Sequence, residues 1–292
     1  MVLMENSGGQ LWGKHCMITG ASSGLGKVTA IELARMGARL TLVCRNRARG
    51  EAIVAEIRHR TGNDAVTLML ADLSVQQSIR ELAAALLADR EPLHVLVNNA
   101  GVFNLRRELT ADGIEAVFAV NHLSYFMLTM LLLERLRQSA PARIVNVASA
   151  AHRHGTIDFD DLGGARRFRP MRIYAQSKLA NILFTYELAR RLEGSGVSVN
   201  CAHPGGVATG LGANNGALAK LLMPLIGLFM RSPERGAVTQ IYLASSAEVE
   251  GVSGQYFVDC KPARSSAQSY DLALARRLWE VSERMTGLGA GL

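Results

Sequence analysis

The sequence is short of cysteine, of lysine and of long apolar runs. No uninterrupted apolar stretch among its 292 residues reaches the roughly 18 residues that a helix needs to cross a bilayer. Residues 1–11 include a glutamate and no apolar core of the kind found in signal peptides. We therefore expect neither a transmembrane segment nor a signal peptide.

The four cysteines lie far apart in the sequence, and Cys16, Cys44 and Cys201 fall inside apolar runs of strand length. Their spacing fits no zinc site, so we expect buried, reduced thiols rather than disulfides. His152 and His154 have no third metal ligand nearby, and we expect them in a surface loop without a metal. These observations predict a cytoplasmic protein.

Lysine supplies only five of the 32 basic residues, which outnumber the 25 acidic ones and leave a net charge of +7. A basic chain can bind nucleic acid. Here, however, the arginines are dispersed over predicted helices that also carry acids. A solvated surface with a few phosphate-binding arginines explains this pattern, so we expect no nucleic-acid partner.

Apolar runs of strand length alternate with helical repeats along most of the chain. This order predicts an α/β fold with a doubly wound parallel sheet, and a hydrophobic content of 49% suffices for a single domain. The predicted strands lie at 14–18, 39–44, 65–70, 93–97, 142–148, 197–202 and 255–258. The predicted helices include 27–36, one that starts in a capping box at 74–77, one at 112–138 and one that begins at Ser232.

A glycine-rich turn joins the first predicted strand to the first helix. It reads Thr19-Gly-Ala-Ser-Ser-Gly-Leu-Gly26, a G-x-x-x-G-x-G spacing. Glycines let the backbone approach a pyrophosphate, and a helix N-terminus offers amide donors and the positive end of its dipole. The turn therefore predicts a dinucleotide site, the alternative being a tight strand-to-helix turn without a ligand.

Tyr174 and Lys178 stand four residues apart in a strongly helical stretch. At this spacing, their side chains share one face of the helix. An ammonium group beside a phenol favours the phenolate, which would lower the tyrosine pKa from about 10 toward the working pH. A tyrosine tuned in this way can exchange a proton with an alcohol or a carbonyl.

The chain resembles the short-chain dehydrogenase/reductase family in motifs that stand in that family's order. They are Thr19–Gly26, Asp72-Leu73, Asn98–Gly101, Asn121, Ser149, the Tyr174/Lys178 pair and the 204–209 segment. The segments 143–152, 177–184 and 275–282 resemble its retinol dehydrogenase branch. The resemblance implies one Rossmann-type domain, with a cofactor half at about 14–148, a catalytic and substrate half at about 149–260 and a tail at 261–292. It also implies a carbonyl reductase or alcohol dehydrogenase.

The resemblance also assigns the catalytic roles. Tyr174 would donate a proton to the carbonyl oxygen, and Ser149 would hydrogen-bond that oxygen. Lys178 would lower the tyrosine pKa and hold the nicotinamide ribose, while Asn121 would hold a water that links Lys178 to solvent. From the residues alone, Asn121 can equally cap or kink a helix. Ala148 occupies a site where relatives often carry another serine.

By the same resemblance, residues that follow the strands would bind the cofactor. The glycine turn would meet the pyrophosphate, Asp72 and Leu73 the adenine, 99–101 the adenosine half and 204–209 the nicotinamide. The full set is Gly20, Ser22, Ser23, Gly24, Leu25, Gly26, Arg45, Asp72, Leu73, Asn99, Ala100, Gly101, Tyr174, Lys178, Pro204, Gly205, Val207 and Thr209. No metal ligand is expected.

The end of the second strand predicts NADP(H) as the cofactor. About 20 residues beyond the glycines, an acidic residue would accept from the ribose 2′-hydroxyl of NAD. This chain instead has Cys44-Arg-Asn-Arg47 and no acid before Glu51. The Arg45 guanidinium can bind a 2′-phosphate, with Lys27 as a helper. The alternative is that these arginines face water at a helix start.

An apolar segment at 213–230 contains ten consecutive uncharged residues, too few to span a bilayer. It can be interpreted as a substrate lid, a membrane-surface helix or a dimer contact. The family places a lid here, and an apolar lining would suit a lipophilic substrate. Retinol dehydrogenases typically have an N-terminal membrane anchor, which we do not expect here, and this departure argues against a retinoid substrate.

These observations predict an NADP(H)-dependent oxidoreductase that acts on an apolar carbonyl or alcohol. The alternatives are a non-redox isomerase or cyclase on the same fold and a non-catalytic dinucleotide-binding scaffold. The family commonly pairs the tyrosine-bearing helix with its symmetry mate. The helix face of Leu179, Leu183, Tyr186 and Arg190 therefore predicts a homodimer or homotetramer, unless that face packs against the protein's own sheet.

Overall fold

A single eight-stranded sheet organises the computed structural model, which describes residues 10–206 and 231–289. The strand order is β3-β2-β1-β4-β5-β6-β7-β8, and all pairs are parallel except β7 with β8. The strands are β1 (His15–Thr19), β2 (Arg39–Cys44), β3 (Val66–Leu70), β4 (Val95–Asn98), β5 (Ala142–Val147), β6 (Val197–His203), β7 (Gln255–Val258) and β8 (Lys261–Pro262). The predicted doubly wound parallel sheet is confirmed, and the short antiparallel β8 was not predicted.

Helices cover both faces of the sheet, which is why the central strands are apolar throughout rather than alternating. They are α1 (Gly24–Arg35), α2 (Arg47–Thr61), α3 (Gln76–Ala88), α4 (Ala116–Gln138), α5 (Pro170–Arg191), α6 (Pro233–Ser245) and α7 (Leu272–Thr286). One buried apolar cluster joins α3, α4, α5 and α7 to one face of the sheet. A second cluster joins α1, α2 and α6 to the other face.

The strand order reverses between β1 and β4, which are neighbours in the sheet. The connections after these two strands leave in opposite directions, so a crevice opens at their carboxyl ends, where ligands bind in such sheets. The glycine turn follows β1, and Asn99 follows β4. The fold therefore brings two of the predicted cofactor segments to one crevice.

The start of α3 differs from the predicted capping box. Val75 is the N-cap residue and makes no side-chain cap, whereas Ser74 donates to Asp72 Oδ1 at 2.6 Å. The Gln76 amide at the helix start instead donates to Asp112 Oδ2 of a distant loop at 2.8 Å. The capping prediction is wrong here because a carboxylate from another part of the chain replaces the local hydroxyl. At α6, the predicted Ser232 cap is confirmed.

Within the described residues, α4 is the one helix whose length and composition would allow it to cross a membrane. Its most apolar stretch is 78% buried inside the protein, where Tyr125, Phe126 and Leu132 belong to the core. A core helix of an α/β domain passes the same test, because it too is apolar on most of its surface.

The face of α5 that we expected at a subunit interface is covered by the chain's own C-terminal helix. Leu179 and Leu183 share an apolar cluster with Ala275 and Leu278 of α7, and the Tyr186 ring stacks on Tyr270 at 5.4 Å. The prediction that this face is free for a subunit interface is therefore wrong. The stated alternative, packing against the sheet, does not describe the face either, because α7 covers Leu179 and Leu183.

Candidate active site

The glycine turn is built so that side chains at two positions would not fit. Gly20 has a φ of +68°, and a Cβ there would lie 2.9 Å from the Ala100 Cα. A Cβ on Gly26 would lie 2.4 Å from the Gly20 oxygen. Ser23 occupies the N-cap of α1 without a side-chain cap, so the first turn lacks a side-chain acceptor for its amides. This cradle fits a pyrophosphate.

Residues after β4 brace the glycine turn from the neighbouring strand. The Asn99 and Ala100 amides both donate to Thr19 Oγ1, at 2.9 and 3.1 Å. The Asn99 side chain donates to the Thr19 carbonyl at 2.8 Å. The proposed adenosine-side segment and the pyrophosphate turn are thus parts of one hydrogen-bonded unit.

Arg45 and Asp72 lie together at the far end of the crevice, after β2 and β3. The Arg45 Nη1 is 4.0 Å from Asp72 Oδ2, and the Arg45 side chain is 65% exposed. Asn46 caps α2 by accepting from the Arg49 amide. Lys27, the expected helper, forms an ion pair with Glu56 at 2.6 Å on the third turn of α2, so the structure gives Lys27 a different partner.

Pro204 and Gly205 follow β6 at the other side of the crevice. Gly205 has a φ of +80°, and a Cβ there would lie 2.8 Å from the Arg231 Cδ. The predicted cofactor residues Val207 and Thr209, and the apolar segment 213–230, lie outside the described residues.

Ser149 and Tyr174 meet at the carboxyl end of β5. Ser149 begins a 3₁₀ turn (Ala150–His154) and accepts from the Ala151 amide, and its hydroxyl lies beside the Tyr174 phenol. Burial raises the pKa of Tyr174, and the Ser149 hydrogen bond lowers it only in part. The sequence therefore placed the pair correctly, but the predicted lowering of the tyrosine pKa is wrong for this arrangement.

Lys178 is buried one turn beyond Tyr174 on the same face of α5. Its Nζ lies 5.8 Å from the centre of the Tyr174 ring and donates to the Val147 carbonyl at 2.9 Å. Burial lowers the Lys178 pKa to about 8. Because a carbonyl and not the phenolate is its hydrogen-bond partner, the ammonium does not dominate the tyrosine pKa.

Asn121 lies at the centre of a π-helical segment, Ala119–Leu123, within α4. Its Oδ1 accepts from the Val102 amide at 2.7 Å, and its Nδ2 donates to the Val102 carbonyl and to Ser177 Oγ, at 3.0 and 3.1 Å. The irregular helix turn directs this amide toward α5. Its predicted role toward Lys178 stays a prediction.

Two aromatic residues at the site had no predicted role there. Phe103 packs edge-on against Tyr174, with ring centres 5.6 Å apart and an angle of 82°. His152, which we expected in a surface loop, is fully buried. That expectation is wrong because two histidines in a polar, arginine-rich segment carry no periodicity that would reveal burial. Among the described residues, no cluster of histidine, cysteine or acidic side chains could hold a metal ion.

Acid should destabilise the protein through His122, which adjoins Asn121. The ring is fully buried, with Nε2 2.9 Å from Ser282 Oγ, and burial lowers its pKa to about 3. Below about pH 6.5, the unfolded chain binds a proton that the folded chain excludes. The contribution of His122 to the free energy of unfolding should thus be fully present above pH 6.5. It should fall by about 1.4 kcal/mol per pH unit as the pH drops toward 3.

Urea unfolding at neutral pH and at about pH 5 would measure this loss. His122→Asn should reduce the difference between the two pH values, whereas His59→Asn, on an exposed part of α2, should retain it. If His122→Asn loses as much stability between the two pH values as wild type does, other groups cause the acid sensitivity. His203 is one candidate, because burial lowers its pKa to about 4.

With the geometry in place, the comparisons with known proteins decide the family. The short chain dehydrogenase family model matches residues 14–218. The chain belongs to the short-chain dehydrogenase family. Human retinol dehydrogenase 14 is 46% identical over 297 residues, covering 96% of this chain and 88% of that protein. Human retinol dehydrogenase 11 is 47% identical over 279 residues, with 96% and 87% covered, which confirms the retinol dehydrogenase branch.

Solved structures agree with this assignment. An uncharacterized protein from Mycobacterium paratuberculosis superposes with a TM-score of 0.78 at 34% identity, covering 97% of this chain and 96% of that one. A short chain dehydrogenase from Burkholderia cenocepacia, in complex with NADP, superposes with a TM-score of 0.66 at 27% identity, with 85% and 96% covered. This short-chain dehydrogenase is therefore an oxidoreductase of known fold, with a crevice suited to a nicotinamide dinucleotide.

Proposed function

We propose that this dehydrogenase is an NADP(H)-dependent oxidoreductase that interconverts a carbonyl and an alcohol on a lipophilic substrate. The observation that carries the proposal is the convergence of Ser149, Tyr174 and Lys178 at the carboxyl end of β5, beside the glycine turn. The family relation supports redox chemistry, and the names of the relatives, retinol dehydrogenases, support an apolar alcohol or aldehyde. Phe103 against Tyr174 supplies an apolar surface at the reacting oxygen.

The bound nicotinamide would supply or accept the hydride. The Tyr174 phenol gives its proton to the carbonyl oxygen in reduction and takes it back in oxidation. The Ser149 hydroxyl, which lies beside that phenol, donates to the same substrate oxygen and stabilises its developing charge. The Lys178 ammonium, 5.8 Å from the ring centre, stabilises the phenolate that the transfer leaves behind.

Absorbance at 340 nm tests the proposed reaction directly. With wild-type protein and NADPH, the absorbance at 340 nm should fall when apolar ketones or aldehydes are added. It should fall more slowly with polar carbonyl compounds. Product formation without an absorbance change would indicate a rearrangement instead. Dinucleotide binding without any turnover across the panel would indicate a scaffold, and either result would overturn the proposal.

The cofactor preference should depend on Arg45. Its exposed guanidinium lies after β2, beside Asp72, where it can pair with a 2′-phosphate. A charge-assisted pair of this kind contributes about 1.5–3 kcal/mol, and each 1.4 kcal/mol is about tenfold in affinity. NADPH should therefore bind at least about tenfold more tightly than NADH, as the NADP complex of the Burkholderia protein also suggests.

Arg45→Ala should remove most of this preference while hardly changing NADH affinity. Arg47→Ala is a matched control, since Arg47 is similarly exposed and pairs with Glu51 at 3.6 Å. Fluorescence titration of both nucleotides into the three proteins gives the comparison. Equal affinities of wild type for NADPH and NADH would refute the assignment, and a preference lost only in Arg47→Ala would move it to that residue.

We also propose a cytoplasmic location, supported by four cysteines that are all free, three of them buried. A homodimer or homotetramer stays a prediction from the family. Because α7 covers the expected face of α5, such an assembly would need a different surface.

A further inference from the structure

His152 lies in the 3₁₀ turn that begins at Ser149, and it joins this turn to the C-terminal part of the chain. Its Nδ1 is 2.6 Å from the Ser149 carbonyl oxygen. On the opposite side of the ring, the Ser266 amide donates to Nε2 at 3.1 Å. The side chain is 0% exposed, so both nitrogens depend on these partners alone.

The two partners determine the protonation state of the ring. A backbone amide can only donate, so Nε2 must be the unprotonated nitrogen. Nδ1 must then carry the hydrogen, because its partner, a carbonyl, can only accept. The ring is therefore the neutral Nδ1–H form, in agreement with a pKa that burial lowers. A protonated ring would place two N–H groups, its own and that of Ser266, against each other.

The segment that holds His152 is itself anchored. Ser265 Oγ lies 2.8 Å from the Tyr186 hydroxyl of α5, and Arg153 donates to the Arg264 carbonyl at 2.8 Å. The His152 ring also packs against Tyr256 of β7 at 5.1 Å. Segment 264–266 is thus fixed to α5, the helix that carries Tyr174. The bond between Ser266 and His152 therefore connects the turn of Ser149 to that helix.

We propose that His152 is a positioning residue for Ser149, and that through it the C-terminal segment 264–266 holds the Ser149 hydroxyl beside Tyr174. The proposal rests on the function proposed above for Ser149. It adds a requirement that the serine and tyrosine motifs do not contain: the neutral Nδ1–H imidazole and its anchor near the end of the chain.

Three substitutions separate the two hydrogen bonds. His152→Phe keeps an aromatic ring and removes both bonds, and it should lower kcat by about ten- to a hundredfold, with unchanged dinucleotide affinity. In His152→Asn, the side-chain amide can still donate to the Ser149 carbonyl but no longer reaches Ser266, so the anchor is lost and kcat should stay low. The longer His152→Gln side chain can reach Ser266 but no longer holds the Ser149 carbonyl, and it should be impaired as well. His154→Phe, two residues along on an exposed position, is the matched control and should behave as wild type.

The pH profile provides a readout that a merely structural residue would not move. The Ser149 hydrogen bond lowers the pKa of Tyr174, and alcohol oxidation needs the phenolate. Displacing Ser149 in His152→Phe should thus shift the rising limb of kcat/KM for oxidation to higher pH, and His152→Asn should shift it in the same direction. The other ionisable groups facing the phenol are Lys178 and Tyr125, and around His152 they are Arg153, His203 and Tyr256, all unchanged in these variants.

The outcomes divide clearly. Wild-type kcat and pH profile in His152→Phe, or wild-type kcat in either the Asn or the Gln variant, would overturn the proposal. If His152→Phe does not fold, the Asn and Gln variants carry the test. Should the wild type turn over no carbonyl, the proposed function fails separately, and ¹⁵N NMR of the histidine rings still tests this inference. A protonated Nε2 in His152 would refute it, and an Nδ1–H ring would support it.

Discussion

Tyr174→Phe should lower turnover by about 10²–10⁴-fold and leave dinucleotide binding nearly unchanged. The substitution removes one proton donor and almost no volume. The ring contact with Phe103, at 5.6 Å, is apolar and survives the change. Only the hydroxyl beside Ser149 is lost, so kcat should fall while NADPH affinity stays within measurement error.

Tyr125→Phe offers a matched control for this prediction. Its ring centre is 5.7 Å from the Lys178 ammonium, almost the same distance as for Tyr174, but its hydroxyl donates to the Ala100 carbonyl. This variant should lose some stability, on the order of 1 kcal/mol, and little turnover. Similar losses of kcat in both variants, or a parallel loss of NADPH affinity in Tyr174→Phe, would contradict the assigned proton donor.

Trp279→Ala should lower the free energy of unfolding by about 3–5 kcal/mol. Trp279 of α7 is 2% exposed and packs against the rings of Phe126 and Phe184, at 5.1 and 5.8 Å. The Arg191 guanidinium lies 4.1 Å above its ring centre. The truncation would leave a cavity where α7 packs against α4 and α5.

The chain contains one further tryptophan, which serves as the control. Trp12 is 81% exposed, and Trp12→Ala should change the stability by no more than about 0.5 kcal/mol. Urea unfolding of both variants measures the difference, and light scattering shows whether the loosened α5 face then self-associates. Comparable stabilities for the two variants would show that α7 contributes little to the fold.

Much of the fold and the cofactor crevice could be predicted because the signals are local. The parallel strands β2 and β7 lie at the predicted residues, since buried strands in a covered sheet are continuous apolar runs. Gly20 is required by its φ of +68°, and Gly26 by its contact with the Gly20 oxygen in the same turn. The Tyr174/Lys178 face follows from helix geometry alone.

Features that depend on distant residues could not be predicted in this way. An amphipathic face shows that α5 must be covered, but not whether a symmetry mate or α7 covers it. The sequence likewise suggested Ser74 as a cap. In the structure, the Gln76 amide at the helix start donates to Asp112, which is 36 residues further along the chain. The pKa of Tyr174 depends on burial by residues from several elements, which a pair of motifs cannot report.

By itself, the sequence determined the family, the order of the elements, the dinucleotide turn and the residues that would carry the chemistry. Only the tertiary structure decided that the C-terminal helix closes α5 and that His152 is buried. It also decided that Lys178 donates to a backbone carbonyl. The physical reason is that local sterics and helical periodicity are encoded in neighbouring residues. Burial, and with it protonation, is set by segments far apart in the chain that meet only when it folds.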